Sequence, residues 1–300
     1  HVTVGGRETR DEKNGRLFTV NNLPTSLAFD IEDDHFDPMV TFAIDATDNI
    51  NLYAKYATGY RSGGASSRSV IYRSFGAEET DSIELGVKTE LGNKLRLNAA
   101  AYTMDRTGSQ IDFSLVTPQP NGSTRNTLET INAPGTTKIK GLEVELTANL
   151  TSNLSVFGAY AYTSTEVPPT VNPFNNVLQQ VFIVFTPPRA ASAGFDYEMP
   201  MKGGGMMMRA HFDGNYQSAH HSLAEVAQKV DSSFIANARL SFENISVGRG
   251  NSELSVSLWS RNLLDEEHIY RLDPANRATL GDYANFSPPR TVGAEVSLSF

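Results

Sequence analysis

The chain has 300 residues, with 34 acidic against 25 basic side chains and no cysteine, which gives a formal net charge of −9. The acidic balance argues against a nucleic-acid partner, and the lack of cysteine excludes disulfides, thiolate metal sites and cysteine nucleophiles. No apolar run approaches the roughly 18 residues of a membrane-spanning helix, and the longest is Val181–Phe185. The opening HVTVGGRETR has neither the basic nor the apolar region of a signal peptide, which predicts a mature or truncated product.

Strict alternation of apolar and polar residues is the dominant pattern along the chain. In DSIELGVKTEL, Ile83, Leu85 and Val87 alternate with Glu84 and Lys88. Such a period of two predicts β-strands with one apolar and one polar face, and helical periodicity is almost absent. In chain order, the pattern occurs in residues 49–60, 81–91, 94–102, 141–150, 253–259 and 292–300.

Short and long connections alternate between the predicted strands. Candidate tight turns, rich in Asn, Asp and Gly, are Ala46–Asn49, Leu91–Lys94, Leu150–Asn153, Pro200–Gly205 and Ile245–Asn251. Longer links are expected at about residues 14–35, 61–77, 114–127, 167–187, 218–228 and 263–288. Short turns at one end and long loops at the other are typical of outer-membrane barrels. The sequence therefore predicts an all-β fold, an antiparallel transmembrane β-barrel portion of about twelve long strands.

Aromatic residues near the strand ends fit the same interpretation. Tyr56, Tyr60, Tyr160 and Tyr162 lie toward the long loops, where an interfacial girdle is expected, and Phe300 would be an interfacial anchor at the end of the last strand. A large soluble β-sandwich, with tyrosines covering strand surfaces, is the alternative.

Five segments, in order along the chain, resemble those of TonB-dependent outer-membrane receptors. The first contains NINLYAKYATGYRSGG, the second is EETDSIELGVKTEL and the third contains GLEVELTANLTSNLSVFGAYAYT. The fourth is WSRNLLDEEHIY, and the fifth is the closing strand SPPRTVGAEVSLSF. Their bounds are Phe36–Gly64, Glu78–Leu91, Thr136–Thr163, Trp259–Tyr270 and 287–300.

The resemblance implies that residues 1–300 are the carboxyl-terminal part of a 22-stranded barrel whose lumen is closed by an amino-terminal plug. The plug, the first strands and the TonB box are not visible in the sequence. We therefore expect that this segment alone does not transport and that its two edge strands lack partners. A complete twelve-stranded barrel is the rival architecture.

The resemblance also implies a receptor in the outer membrane of a Gram-negative bacterium, for energy-coupled uptake of a scarce bulky nutrient such as a ferric siderophore. The implied partners are outer-membrane lipid, the barrel assembly machinery, a small-molecule ligand and the inner-membrane TonB–ExbB–ExbD complex. No resident cofactor is expected. The alternatives are a passive porin-like or adhesin barrel without an energised gate, and a soluble carbohydrate-binding β-sandwich.

Two sets of side chains are candidate functional residues. The loop YRSGGASSRSVIYRSFG can offer planar cations and an aromatic face to an anionic siderophore, through Arg61, Arg68, Tyr72 and Arg73. Strand parity predicts a lumen-facing set, either paired against itself and the plug or in contact with ligand, of Tyr53, Lys55, Glu84, Lys88, Arg96, Glu143, Glu145 and Glu295. By the resemblance, a carboxyl-terminal assembly signal comprises Val296, Leu298 and Phe300.

The remaining motifs favour structural roles. Adjacent His220 and His221 point in opposite directions on an extended chain and are expected at the surface rather than at a metal. The acidic run 30–37 lacks the spacing of a calcium loop, and residues 206–208, three methionines, are expected to fill a membrane-facing surface rather than to bind copper. No catalytic motif or opposed carboxylate pair is found, so an enzyme is not expected.

Overall fold

The computed structural model describes residues 1–20, 23–118, 121–202, 205–248, 252–273, 281 and 283–300. These residues form an all-β structure dominated by one antiparallel sheet of twelve strands, here called the wall. The wall strands are β1 (Val2–Val20), β2 (Leu23–Thr47), β3 (Ile50–Arg61), β6 (Glu78–Leu91), β7 (Leu95–Thr107), β10 (Thr136–Asn149), β11 (Leu154–Glu166), β14 (Arg189–Pro200), β15 (Met207–Gln217), β18 (Ser233–Ser246), β19 (Glu253–Arg261) and β22 (Thr291–Ser299).

Consecutive wall strands are hydrogen-bonded neighbours throughout, so the sheet is a meander from β1 to β22. Within the described residues, β1 pairs only with β2, and β22 pairs only with β19. No helix of the described residues is long and apolar enough to cross a membrane. The prediction of an all-β fold with about twelve long antiparallel strands is confirmed.

Ten shorter strands form five two-stranded ribbons in the long connections, all at one end of the wall, which we call the long-loop end. The ribbon strands are β4 (Gly64–Ala65), β5 (Ser74–Phe75), β8 (Gln110–Pro118), β9 (Thr124–Asn132), β12 (Thr170–Val171), β13 (Leu178–Gln179), β16 (His220–His221), β17 (Lys229–Val230), β20 (Ile269–Asp273) and β21 (Tyr283–Phe286). The opposite end carries tight turns, as predicted. At Leu91–Lys94, for example, the turn uses the positive φ of 58° at Gly92.

One of the predicted long links is wrong, and another is itself a paired ribbon. Residues 14–35 are not a loop, because β1 and β2 pair from Val2 opposite Phe42 to Val20 opposite Leu23, with one register shift between Leu17 and Thr19. The link predicted at 114–127 is instead the ribbon β8–β9, whose paired region extends from Gln110 to Asn132. These segments contain few apolar residues, yet they can form strands because hydrogen bonds between paired strands satisfy the backbone polar groups, whichever way the side chains face. Parts of both links, and of the links at 200–205, 245–251 and 263–288, lie outside the described residues.

The registers give the wall an apolar face and a polar face. Leu52 lies between Ile44 and Val87, and Leu258 lies between Leu240 and Ala294, so apolar side chains share one face across neighbouring strands. That face is exposed in this chain, the reverse of a water-soluble sheet. Its exposed large side chains include Leu52, Leu85, Leu146, Phe195, Leu240, Leu258, Val292, Val296 and Leu298.

Three of the four tyrosines predicted to form a girdle lie on this apolar face. Tyr56 is opposite Val40, and Tyr160 and Tyr162 are opposite Val144 and Leu142, all partly exposed. Tyr60 instead stacks on the ring of His35 at a centroid distance of 4.8 Å. Phe300 follows β22 and is 98% exposed.

The hydrophobic core of the molecule lies in the loops and not in the wall. Ribbon β8–β9 and the connection after β11 contribute its fully buried side chains, Phe113 and Val181, and Ile183 and Ala224 pack at its edge. We call the described residues of the connections 62–77, 108–135, 167–188, 218–232 and 262–290 the loop assembly. Three of these connections, 108–135, 167–188 and 218–232, meet in its core although they are distant in sequence.

Candidate ligand site

A cavity of about 490 Å³ lies within the loop assembly. Its lining includes apolar side chains such as Phe182, Ile183 and Leu128. The lining also contains three arginines, Arg61 at the end of β3, Arg68 in the connection that follows and Arg271 in the last long connection, together with three acidic residues. A cavity with an apolar wall and a few fixed polar groups has the general character of a small-molecule site.

The three arginines differ in how they are held. Arg61 donates to Glu78, with Nη2 3.0 Å from Oε2, and the backbone amide of Gln110 donates to the same oxygen at 2.9 Å. Among the described residues, no carboxylate forms an ion pair with Arg68 or Arg271. Two guanidinium groups at this cavity are therefore available to an anion, and their fork geometry suits carboxylate, phosphate or similar oxygens.

The acidic residues of the cavity are occupied by donors from the loops themselves. Asp112 accepts a hydrogen bond of 2.6 Å from the Thr130 hydroxyl. Glu225 accepts from the backbone amide of Ser114 at 2.9 Å and from its hydroxyl at 3.1 Å. Burial raises the pKa of Glu225, while the two hydrogen bonds from Ser114 act in the opposite direction. The Asp112 bond thus lies within ribbon β8–β9, and the Glu225 bonds join two connections; the third acidic residue of the lining is Asp273.

Tyr72 and Arg73, the other two predicted ligand contacts, do not line this cavity. The Tyr72 ring packs edge-on against Phe29 of the β1–β2 hairpin, with ring centroids 5.1 Å apart. Arg73 Nε lies 3.7 Å from Glu129, a buried carboxylate that also binds Ser69. The structure thus brings two of the four predicted residues together and uses the other two to hold their loop.

The predicted lumen-facing residues share the polar face of the wall. Tyr53 donates a 2.7 Å hydrogen bond to Glu84, its ring lies 5.4 Å from the Lys88 ammonium, and a Cβ at Gly86 would collide with that ring. The registers place the others on the same face, where the ion pairs include Arg96–Glu90 and Arg239–Glu295, both at 2.9 Å. The positions are Tyr53, Lys55, Glu84, Lys88, Arg96, Glu143, Glu145 and Glu295.

A second chamber, of about 620 Å³, lies where this polar face meets the last long connection. Glu143 and Glu145 of β10 form part of its lining, and His268 and Tyr270 come from the connection above. Gln217 Nε2, at the end of β15, lies 3.1 Å from Nε2 of the buried His268, which joins the connection to the wall. Burial lowers the pKa of His268, and the nearby His220 acts in the same direction.

The described residues contain no group of three or more His, Asp or Glu side chains placed to bind a metal. His220 is buried rather than at the surface, which corrects the prediction for that residue. The ring of His221 stacks on Phe182 at a centroid distance of 3.7 Å, and burial lowers its pKa. Both histidines are therefore packing elements of the loop assembly.

Sequence reasoning missed Arg271, Glu225 and Phe182 as cavity residues. Each lies in a connection far along the chain from Arg61 and Arg68, and no local pattern links the segments. The run Val181–Phe185 was visible as the longest apolar stretch, and this was the one signal in the sequence; within the run, Val181 is fully buried and Phe185 is exposed.

Comparison with known proteins gives a consistent set of matches. A family model described as "TonB dependent receptor-like, beta-barrel" matches residues 1–263. The fold is similar to the ferric yersiniabactin uptake receptor FyuA from Yersinia pestis, with a TM-score of 0.76, 16% identity, 98% of this chain and 42% of that chain covered. It is also similar to BauA, the ferric preacinetobactin receptor from Acinetobacter baumannii, with a TM-score of 0.66, 18% identity, 100% of this chain and 40% of that chain covered. For the copper transporter OprC, the TM-score is 0.67 and the identity 16%, with 100% of this chain and 46% of that chain covered. The chain spans less than half the length of each of these proteins.

Proposed function

Because the chain belongs to the TonB-dependent receptor family, we propose that it is part of an outer-membrane receptor of a Gram-negative bacterium that takes up a ferric siderophore. The energy for uptake comes from the TonB–ExbB–ExbD complex, through a plug and a TonB box carried elsewhere in the receptor. The barrel assembly machinery inserts the wall, with Val296, Leu298 and Phe300 as its signal. The exposed apolar face of the wall supports the membrane location, since only a lipid surrounding leaves such a face favourable.

The observation that carries the choice of ligand is the cavity of the loop assembly. Arg68 and Arg271, which form no ion pair among the described residues, line the same cavity as the apolar side chains of Phe182 and Leu128. A ferric siderophore combines anionic oxygens around the iron with a larger organic frame, which matches a site of this composition. FyuA and BauA, whose names give ferric compounds as their ligands, have the same fold and support this choice.

In this mechanism the loops bind the ligand first, and the wall acts as a scaffold. Arg68 and Arg271 orient the anionic part of the ligand, and Arg61 is held in place by Glu78 at the rim. The polar face below carries paired groups such as Tyr53–Glu84, which suits contact with a plug that fills the lumen. Rearrangement of that plug then releases the ligand inward.

The test uses the intact receptor in cells that lack other iron receptors, with ⁵⁵Fe loaded on a catecholate, a hydroxamate and a carboxylate siderophore in separate assays. We expect at least one complex to bind, and the Arg68→Gln/Arg271→Gln variant to bind it about a hundredfold more weakly or worse, because it loses two charge-assisted contacts worth roughly 1.5–3 kcal/mol each. Arg125→Gln is the matched control, since Arg125 lies on β9 but does not line the cavity.

Deleting TonB in the same cells separates active from passive uptake. Binding should persist while internalised ⁵⁵Fe falls to background, because the energised step follows binding. Uptake that continues without TonB would instead support the passive porin-like barrel. Equal binding by the double variant and the wild type would remove the cavity as the ligand site.

A further inference from the structure

The apolar face of the wall changes character at one height near the long-loop end. Along β10, Leu146, Val144 and Leu142 occupy successive positions on this face, and the next two positions are Lys140 and Lys138. Both lysines are exposed. The switch from aliphatic to cationic side chains within one strand marks the upper limit of the apolar band.

Arg189 of β14 adds a third cation close to this height, whereas the same face of β6, β7 and β11 continues with acidic residues, namely Asp81, Asp105 and Glu166. Tyr162 of β11 lies opposite Leu142, and Arg189 of β14 lies opposite Tyr162, so the three share one row across the sheet. Tyr216 and Phe234 face each other on β15 and β18 and are also exposed on the apolar face. Aromatic side chains at this height followed by cations are the arrangement expected where hydrocarbon gives way to lipid headgroups.

The cations near this end of the apolar face are not neutralised by the protein. Among the described residues from β3 to β22, Lys138, Lys140 and Arg189 are the cations at strand positions on the apolar face, and none has an ion-pair partner. Lys138 has acidic neighbours on both sides, opposite Asp105 and Glu166.

The surroundings of Lys140 are different, because its cross-strand neighbours are the hydroxyl residues Thr103 and Ser164. Arg189 is separated from Lys140 by one strand and two residues, roughly 10 Å across the sheet and 7 Å along it. Two long flexible side chains at this separation can reach one anionic group held between them, with Ser164 and Tyr162 as further donors.

We propose that Lys140 and Arg189 form a binding site for the phosphate group of a membrane lipid in the outward leaflet. The site goes beyond ligand uptake and rests only on the membrane location proposed above. A lipid is the occupant because the cations lie directly above a continuous apolar surface, which would receive the acyl chains. That surface includes a shallow groove of about 720 Å³ between β14 and β22, lined by residues such as Phe195, Phe212 and Leu258.

The experiment uses the intact receptor in phosphatidylcholine nanodiscs that contain bisphosphorylated lipid A, or lipid A with both phosphates removed. Bound lipid is counted by native mass spectrometry. We expect preferential retention of the phosphorylated form, and about thirty-fold weaker retention by Lys140→Gln/Arg189→Gln, because each cation near a membrane surface contributes about a factor of five. The charge-preserving variant Lys140→Arg/Arg189→Lys should stay within a few-fold of the wild type.

Lys94→Gln/Lys202→Gln is the matched control, because these exposed lysines lie in turns at the opposite end of the wall. Equal retention of the two lipids, an equal loss in the control, or displacement of the lipid by millimolar inorganic phosphate would each overturn the proposal. Siderophore binding is measured separately on the same samples, so loss of one activity does not hide the outcome for the other.

Discussion

In the wall, Leu258 exposes 60% of its side chain and Val292 exposes 73%, whereas in the loop assembly Phe113 and Val181 are fully buried. The wall is held by an unbroken backbone ladder and has no interior of its own in this chain. The loop assembly has one longer ribbon, β8–β9, and four short ones, and its segments meet in a small hydrophobic core. On the membrane location proposed above, the two regions depend on different surroundings: the wall on lipid, and the loops on water.

Their polar groups differ in the same way. On the polar face of the wall, charged groups pair between strands in exposed positions, as Arg239 and Glu295 do. In the loops, polar groups join segments distant in sequence, as when Ser222 Oγ donates to the carbonyl of Leu272 at 2.8 Å. Exposed pairs contribute little to stability, while buried hydrogen bonds between loops fix their relative positions. On the proposed membrane location, the loop assembly is a small folded unit at the water-exposed end of a membrane-embedded sheet.

The largest expected effect is the loss of the loop core. Phe113→Ala removes a fully buried ring and should destabilise the loop assembly by about 3–5 kcal/mol, because the side-chain contacts are lost and a cavity remains. Hydrogen exchange in residues 110–132 of the intact receptor measures this opening. Leu115→Ala, on the same strand but 39% exposed, should change exchange little. If Phe113→Ala also loses the heat-resistant folded band on gels, the wall and the loops are one cooperative unit. That result would contradict the distinction between the two regions.

The second effect tests the wall with two adjacent residues of β10. Leu146→Lys places a charge on the apolar face and should cost about 2–4 kcal/mol if the site is near the bilayer midplane. Thr147→Lys places the same charge on the polar face and should cost much less. The measurement is the urea midpoint for folding of the intact receptor in lipid vesicles. Equal costs at the two positions would contradict a lipid-facing surface.

The wall was largely predictable because its signal is local. Each strand carries its own alternation, and a tight turn next to it fixes the register, so residues such as Leu85 and Glu84 could be assigned to opposite faces from the sequence. The failure at residues 14–35 has the same origin. The charged run in this segment opposes the usual strand composition, but the paired backbone of β1 and β2 and the contacts of Arg10 with Glu32 and Asp34 hold it extended.

The cavity was only partly predictable because its geometry is not local. Arg61 and Arg68 are close in sequence and could be proposed from composition. Arg271 lines the same cavity, although it lies about two hundred residues after Arg68 in the chain. Tyr72 was predicted from its type and proximity, and its packing against Phe29 depends on a hairpin that was expected to be a loop. Loop packing of this kind has no period or spacing that a sequence displays.

The smallest expected effect concerns the joint between the two regions, where His268 of the last long connection meets Gln217 at the end of β15. Unprotonated Nε2 of His268 can accept a hydrogen bond from the side-chain amide of Gln217. In the protonated ring Nε2 carries a hydrogen and faces the amide donor, so this hydrogen bond is lost. Since burial lowers the pKa of His268, the stability it contributes is present above its ordinary value of about 6.5 and is lost as the pH falls through the lowered value.

Wild-type receptor should therefore show a few-fold faster proteolysis within residues 262–273 at pH 5 than at pH 7.5, after correction for protease activity. His268→Gln cannot titrate and should remove that pH dependence while keeping a hydrogen-bonding side chain. His35→Gln, at the base of the β1–β2 hairpin, should retain it. If His268→Gln keeps the full pH response, His268 is not the source of the acid sensitivity and serves only as packing between the wall and the loop assembly.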